Sequence, residues 1–312
     1  MKVAVMGAGA MGSIFGAGFV EGGHETVLVD VARPVVDKIN ADGLVIVAKD
    51  GSERTVSIPA TADPASIGRC DLVVFFVKCY HTASAAETAR PLVDGQTVVA
   101  SLQNGWGNGD VLARAYDPAQ IAIGVTYHSG TVGGLGKVAH PGVGPTFVGA
   151  YADSGAAGAV EEALATSGFE VHASPKIREE IWKKLILNAA TLPTASLTGM
   201  NAGALTAHGG MNELVSEVGR EAVAVARAQG FDIDEQERID YIHALLEKAG
   251  PSKASMLQDF EAGRQTEVDV INGAVVRAGE ETWTPTPLNR AFVSLVKGWE
   301  SMRGLSAANP AP

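Results

Sequence analysis

The chain has 312 residues, of which 46% are hydrophobic and 19% charged, which is length for two ordinary domains and apolar content for a sizeable core. Its 35 acidic and 24 basic residues leave a formal net charge of -11. Phosphate backbones repel such a surface, so nucleic acid is excluded as a partner, and an anionic small molecule must be drawn in by a local basic spot.

From the N-terminus, Val3 to Met6 is a β-branched-rich run that ends in Gly7. Lys2 is the only positive residue ahead of it, and glycines break the apolar stretch that follows, so a signal peptide is not expected. Met11 to Glu21, small and apolar, predicts a helix packed closely on a sheet, and Thr26 to Val29 predicts a second strand. Leu72 to Lys78 and Thr97 to Leu102 are continuous apolar runs, the pattern of strands buried on both faces of a parallel sheet. Cys70 and Cys79 flank the first of these runs. They are too few for a zinc site or a disulfide framework and read as reduced, buried thiols in a cytoplasmic, reducing compartment. Ile121 to Val125 and Thr146 to Val148 are further strand candidates. Beyond about residue 174 strand signals stop. Lys176 to Thr191 has Trp182, Leu185, Ile186 and Ala189 on one helical face, and helices are predicted over Asn212–Gln229, Asp234–Lys248, Ser252–Ala262, Thr266–Ala278 and Leu288–Met302. The tail from Gly304 reads as loose. No run of about 18 apolar residues occurs, so no membrane span is expected. The fold class is therefore α/β, with a doubly wound, Rossmann-like parallel sheet over residues 1–174 and an all-helical domain over residues 175–312.

The chemistry begins at Gly7, Gly9 and Gly12, a G-x-G-x-x-G pattern between a strand and a helix. Gly7 permits the tight turn, Gly9 lets backbone approach a pyrophosphate, and Gly12 lets the helix sit close to the strand. Ala10 and Met11 open the helix, whose free N–H groups and positive dipole end suit an anion. Asp30 ends the second strand, 18 residues past Gly12, where a carboxylate accepts from a ribose 2′-hydroxyl and repels a 2′-phosphate. That favours NAD over NADP, although Arg33 lies within reach of a phosphate.

Several segments together resemble the ketopantoate reductase (2-dehydropantoate 2-reductase) family: GAGAMGS, GHE at 23–25, VK at 77–78, LQNGWGN at 102–108, IWKKLILNAA at 181–190, SMLQD at 255–259 and TEVDVINGAVV at 266–276. They occur in the family's order along nearly the whole chain. The resemblance implies an enzyme of pantothenate biosynthesis that transfers a hydride from NAD(P)H, NADP being the family default, to a small 2-oxo acid and yields the (R)-2-hydroxy acid. It implies that Lys184 is the catalytic acid, whereas spacing alone reads Lys184, like Lys183, as a surface lysine. An ammonium there would stabilise and protonate the oxygen of a carbonyl under reduction. Glu267 is implied to be its acidic partner. Read locally, Thr266 is an N-cap with Asp269 at the capping-box position and Glu267 in the first helical turn. Asn188, one turn after Lys184, and Ser255 are implied to bind substrate. Asn104 is implied to touch both nicotinamide and substrate, and Lys78 to lie by the cofactor. Without the resemblance these four read as a buried helix amide, a surface serine, an Asn-Gly turn and a strand-terminal lysine. His128 and His140 lie in no matched motif and read as structural, and no cluster has metal-ligand spacing.

The sequence departs from the family pattern at Leu192, where a second substrate-binding asparagine is common. An apolar side chain cannot bond a substrate hydroxyl, so the pocket discriminates less in favour of pantoate. An NAD-dependent D-2-hydroxyacid dehydrogenase of branched or apolar 2-oxo acids is the alternative. Dehydrogenases of the 6-phosphogluconate or 3-hydroxyacyl type are further rivals, as is a non-catalytic dinucleotide sensor, against which the intact Lys184/Glu267 pair argues. The partner is a small-molecule 2-oxo acid, with no nucleic acid and no membrane; the sequence leaves a homodimer open.

Overall fold

A computed structural model describes residues 1–305, so the tail expected to be loose lies, apart from Gly304 and Leu305, outside the described residues. The chain divides into two compact units. The first comprises Met1–Gln103 and Asn108–Ile177; the second comprises Asn104–Gly107 and the chain from Arg178 onward. The boundary read from the sequence, 174/175, ignores the short excursion at Asn104–Gly107.

In chain order the first unit contains β1 (Lys2–Met6), α1 (Ala10–Glu21), β2 (Glu25–Val29), α2 (Arg33–Asp42), β3 (Leu44–Ala48), β4 (Glu53–Val56), β5 (Ala60–Thr61), β6 (Leu72–Phe75), α3 (Thr82–Ala89) and β7 (Val98–Ser101). It continues with α4 (Asn108–Leu112), β8 (Ile121–Thr126), β9 (Ser129–Gly134), β10 (Lys137–Gly142), β11 (Thr146–Ala150), α5 (Ala156–Thr166) and β12 (Val171–Ala173). An eight-stranded sheet has the order β12-β11-β8-β7-β6-β1-β2-β5, parallel throughout except where β11 meets β8. Its central strands are sealed on both faces: every residue of β6 is at 0% exposure, and Val3, Ala4 and Val5 of β1 match it. That is why these runs carry no alternation. The strand order reverses about β1, with β2 on one side and β6 on the other, so the carboxyl end of β1 lies at the topological switch point. A second, four-stranded sheet of order β4-β3-β10-β9 was not foreseen.

The second unit is all-helical outside short 3₁₀ turns: α6 (Ile177–Thr198, its first residue shared with unit one), α7 (Ala202–Ala207), α8 (Gly209–Ala228), α9 (Glu235–Ala249), α10 (Ser255–Glu261), α11 (Asn272–Glu281) and α12 (Pro287–Met302). Its core gathers on the α6 face expected to be apolar, with Trp182, Leu185, Ile186 and Ala189 all at or below 1% exposure. The continuous helix expected over Thr266–Ala278 does not form. A 3₁₀ turn spans Val268–Val270, the chain breaks at Ile271 (φ -105°, ψ -95°), and α11 starts at Asn272. Among the described residues no helix is long and apolar enough to cross a membrane.

Candidate active site

The glycine turn follows β1 directly. Gly7 has φ +103°, a conformation that costs little only without a side chain, and its N–H donates to the Val29 carbonyl at 2.7 Å. A Cβ at Gly12 would stand 1.9 Å from the Gly7 carbonyl oxygen, so α1 can follow β1 this closely only with glycine there. Gly9 differs: a Cβ on it would meet no protein atom within 4 Å. Packing does not require a glycine at this position, which fits a backbone kept bare for a group from outside the chain. Gly9 is the N-cap of α1, no side chain caps the helix, and no acidic residue sits in its first turn, so the N–H groups of Ala10, Met11 and Gly12 meet no competing anion of their own helix. This turn fits a dinucleotide pyrophosphate.

Asp30 stands beyond the end of β2, and both its oxygens are engaged. Oδ2 accepts from the Ala8 N–H at 2.7 Å and Oδ1 from the Ala32 N–H at 2.9 Å. The carboxylate expected at a ribose thus also braces the glycine turn, and its remaining lone pairs can still accept from a hydroxyl. Val31 after it is 88% exposed. Lys78 is partly buried and begins the 3₁₀ turn after β6, and the backbone before it lines the glycine turn: a Cβ on Gly7 would lie 3.0 Å from the Val77 nitrogen.

In the helical unit, Lys184 Nζ donates to Asn104 Oδ1 at 2.8 Å. Lys184 keeps part of its surface open to solvent, while the protein around its amine disfavours the ammonium and lowers its pKa from 10.5 to about 8. The Glu267 carboxylate opposes that burial effect. Asn104, Lys184 and Glu267, distant in sequence, are thus brought together. The neighbours of Glu267 are pinned from both sides. The Thr266 N–H and hydroxyl both donate to Glu300 Oε1, at 2.8 and 2.7 Å. Glu300 is at 0% exposure and its other oxygen accepts from Lys297 at 3.1 Å. On the other side the Val270 carbonyl accepts from the Trp106 N–H at 2.8 Å. Gly105, at φ +87°, would bring a Cβ to 2.5 Å from Val270, so the loop presenting Asn104 seats on the segment carrying Glu267 only with glycine next to it. These bonds replace the expected capping box: Glu267 precedes the 3₁₀ turn rather than occupying a helix, and Asp269 pairs with Lys297.

The remaining candidates are spread more widely. Asn188 is buried one turn after Lys184, and Leu192, a turn further, belongs to the hydrophobic core of the unit. Ser255 is exposed at the first position of α10. Lys183 forms ion pairs with Glu179 and Glu180 at 3.2 and 3.0 Å. His128 and His140 share a 2.9 Å hydrogen bond, and His128 lies edge-on to Phe15 and Phe169. Cys70 is buried as expected, but Cys79 is only partly so, because it sits in the 3₁₀ turn after β6 rather than in the strand. Sequence reasoning missed Glu300, although its spacing from Phe292 and Val296 sets a carboxylate in the buried stripe of α12.

A lysine whose pKa burial lowers to about 8, in a chain that also carries a dinucleotide turn, is suited to protonating a carbonyl oxygen under reduction; these are features of a nicotinamide-dependent oxidoreductase. Residues 3–153 match the family model "Ketopantoate reductase PanE/ApbA", and residues 176–300 match "Ketopantoate reductase PanE/ApbA C terminal". The 2-dehydropantoate 2-reductase of Halobacterium salinarum is 31% identical, with 95% of this chain and 98% of the relative covered. That of Pyrococcus abyssi is 32% identical, covering 97% and 99%. Among solved structures, D-mandelate dehydrogenase with NADH and anilino(oxo)acetate superposes with a TM-score of 0.92 at 27% identity, covering 98% of this chain and 100% of that one. A PanE/ApbA family ketopantoate reductase from Ralstonia eutropha JMP134 does so with a TM-score of 0.89 at 32% identity, covering 97% and 100%. The chain belongs to the ketopantoate reductase family.

Proposed function

We propose that this chain reduces 2-dehydropantoate or a related 2-oxo acid to the 2-hydroxy acid, with Lys184 as the proton donor and NADH as the preferred reductant. The observation that carries the reading is the Lys184 ammonium, held by Asn104 at 2.8 Å, lowered to a pKa of about 8 by burial and kept from falling further by Glu267. Gly7, Gly9, Ala10, Met11 and Gly12 would hold the pyrophosphate, Asp30 the adenosine ribose, and Lys78 and Asn104 the nicotinamide side. When bound, the reduced nicotinamide supplies the hydride that adds to C2. Lys184 stabilises the charge gathering on the carbonyl oxygen and gives it a proton. Neutral Lys184 then regains a proton from solvent, with Glu267 favouring the charged form. Asn188 and Ser255 are assigned to the substrate's carboxylate and carbonyl oxygens.

Leu192 supports a second reading within the same chemistry, a D-2-hydroxyacid dehydrogenase for apolar 2-oxo acids, and the likeness to D-mandelate dehydrogenase favours it too. Steady-state rates with a panel of 2-oxo acids, each with NADH and NADPH, test both. Branched apolar acids matching or exceeding 2-dehydropantoate would support the Leu192 argument, and 2-dehydropantoate far outrunning them would end it. Asp30→Ala should raise the NADPH-to-NADH ratio of kcat/KM about tenfold, from the loss of one repulsive charge; an unchanged ratio would remove Asp30 as the discriminator. Lys184→Ala should abolish turnover and leave NADH binding intact, whereas retained turnover would refute the whole assignment.

A further inference from the structure

Pro193 sits inside α6. A proline has no N–H, so the carbonyl four residues earlier, that of Ala189, loses its helical donor. The gap is filled from a different part of the chain: Asn272 Nδ2 donates to the Ala189 oxygen at 2.9 Å. Its other N–H donates to Asn289 Oδ1 at 3.0 Å, and Asn289 is held in turn by Glu221 at 2.9 Å. Asn272 and Asn289 are both at 0% exposure. Asn272 Oδ1 has no hydrogen-bond partner among the described residues, so the position makes use of the donor half of the amide alone.

The two ends of this bond carry the proposed chemistry. Ala189 lies five residues after Lys184 on α6, and Asn272 lies five residues after Glu267. Between Glu267 and Asn272 there is only the 3₁₀ turn and Ile271, so a tether at Asn272 limits where Glu267 can go. The tether at Thr266 runs to α12, and that at Val270 runs to the Asn104 loop; the Asn272 bond joins the Glu267 segment to the backbone of the lysine helix itself. We propose that Asn272 is a positioning residue: by filling the hydrogen-bonding gap that Pro193 opens in α6, its amide fixes the segment bearing Glu267 against the helix bearing Lys184. The inference rests on Lys184 and Glu267 acting as a pair, and its test includes one measurement that needs no turnover.

The test compares Asn272→Ala, Pro193→Ala and the double variant with wild type. The Pro193→Ala substitution restores an N–H that can reach the Ala189 carbonyl without Asn272, so the double variant separates capping of the helix from positioning of the pair. Asn272→Ala should lose at least tenfold in kcat, with little change in NADH affinity, and should melt at a lower temperature. The double variant should regain part of that melting temperature, because the carbonyl is satisfied again, and should stay at least tenfold below Pro193→Ala in kcat. Amine labelling of Lys184 across pH, read by mass spectrometry, should show its titration midpoint falling in both variants that lack Asn272, since a displaced Glu267 no longer favours the ammonium. A double variant that regains the kcat of Pro193→Ala would overturn the proposal and leave Asn272 as a helix cap. So would a labelling midpoint unchanged by Asn272→Ala. If wild type turns over no 2-oxo acid, the functional reading fails by itself, and the labelling midpoint still decides whether Asn272 places Glu267 near Lys184.

Discussion

Glu267→Gln keeps the shape of the side chain and removes its charge, which makes it the sharpest probe of how Lys184 works. Burial lowers the lysine from 10.5 to about 8 even with Glu267 opposing it. An opposite charge within reach of an ammonium is worth about one to three pKa units. Without that charge the midpoint should drop by at least about one unit. At pH 8, where about half of the wild-type lysines are charged, about a tenth would be charged in the variant, and kcat/KM for reduction should fall about fivefold from this cause alone. The assay is kcat/KM against pH from 5.5 to 9.5 with a saturating reduced cofactor. The wild-type rate should fall as pH rises through about 8, and the variant limb should lie lower. A limb that stays near 8 in Glu267→Gln would refute the electrostatic pairing.

The same shift has a signature in stability, with its sign fixed by proton linkage. The unfolded chain keeps the lysine proton up to about 10.5, and the folded chain releases it near 8. Between those values the unfolded state binds more protons, so stability rises with pH across that window. The span of about 2.5 units corresponds to roughly 3 kcal/mol from this group. Urea unfolding of wild type and Lys184→Met at pH 7.5 and pH 10 isolates it, since the variant lacks the titration. A wild-type-minus-variant difference that does not grow with pH would count against a buried ammonium.

The two glycines of the dinucleotide turn should separate fold from ligand. Gly12→Ala brings a methyl into the Gly7 carbonyl and should destabilise or prevent folding, seen by circular dichroism, whereas Gly9→Ala meets no protein atom, should melt like wild type, and should bind NADH at least tenfold more weakly by fluorescence titration. Leu192→Asn restores a partner for a substrate hydroxyl and should raise the preference for 2-dehydropantoate over an apolar analogue about tenfold in kcat/KM; no change would take this position out of the substrate pocket. Glu300→Ala strips the acceptor from the buried Thr266 N–H and hydroxyl while Lys297 keeps Asp269, so urea unfolding should record a loss of at least about 2 kcal/mol from the two unpaired donors. A loss below about 1 kcal/mol would mean that this buried carboxylate has better access to water than its enclosure indicates.

The parts of the fold legible in the sequence are those whose burial leaves a local trace. β6 is apolar throughout, and β1 and β7 carry the apolar runs Val3 to Met6 and Val98 to Ala100, because both faces are covered; the turn at Gly7 to Gly12 is legible because Gly7 and Gly12 answer steric demands within a few residues and Gly9 completes the pattern where nothing in the chain crowds it. The four-stranded sheet left no such trace: β9 reads SGTVGG and is largely exposed, and β4 buries only Val56, so neither shows a period. The segment from Thr266 to Ala278 has helical composition, yet Thr266 is bonded to Glu300, 34 residues away, and Val270 to Trp106, so tertiary bonds outweigh the propensity. For the same reason spacing alone made Lys184 a surface lysine. Its burial and its partners Asn104 and Glu267 come from distant parts of the chain, and only the family resemblance points to it.

The acid strength of Lys184 follows from two opposed forces of similar size. A lysine left in water, near 10.5, holds its proton too tightly to give it readily to a developing alkoxide. Burial without compensation would leave little ammonium at neutral pH, and with it little positive charge to attract an acid substrate to a protein of net charge -11. Glu267 supplies the compensation through charge, whereas Asn104 accepts a hydrogen bond and directs the ammonium without neutralising it. A second carboxylate at the position of Asn104 would raise the pKa again and hold the proton back. Asn104→Asp should therefore move the pH limb upward, the opposite direction from Glu267→Gln, and the pair of shifts would separate a lysine tuned by its two neighbours from one whose acidity is set by burial alone.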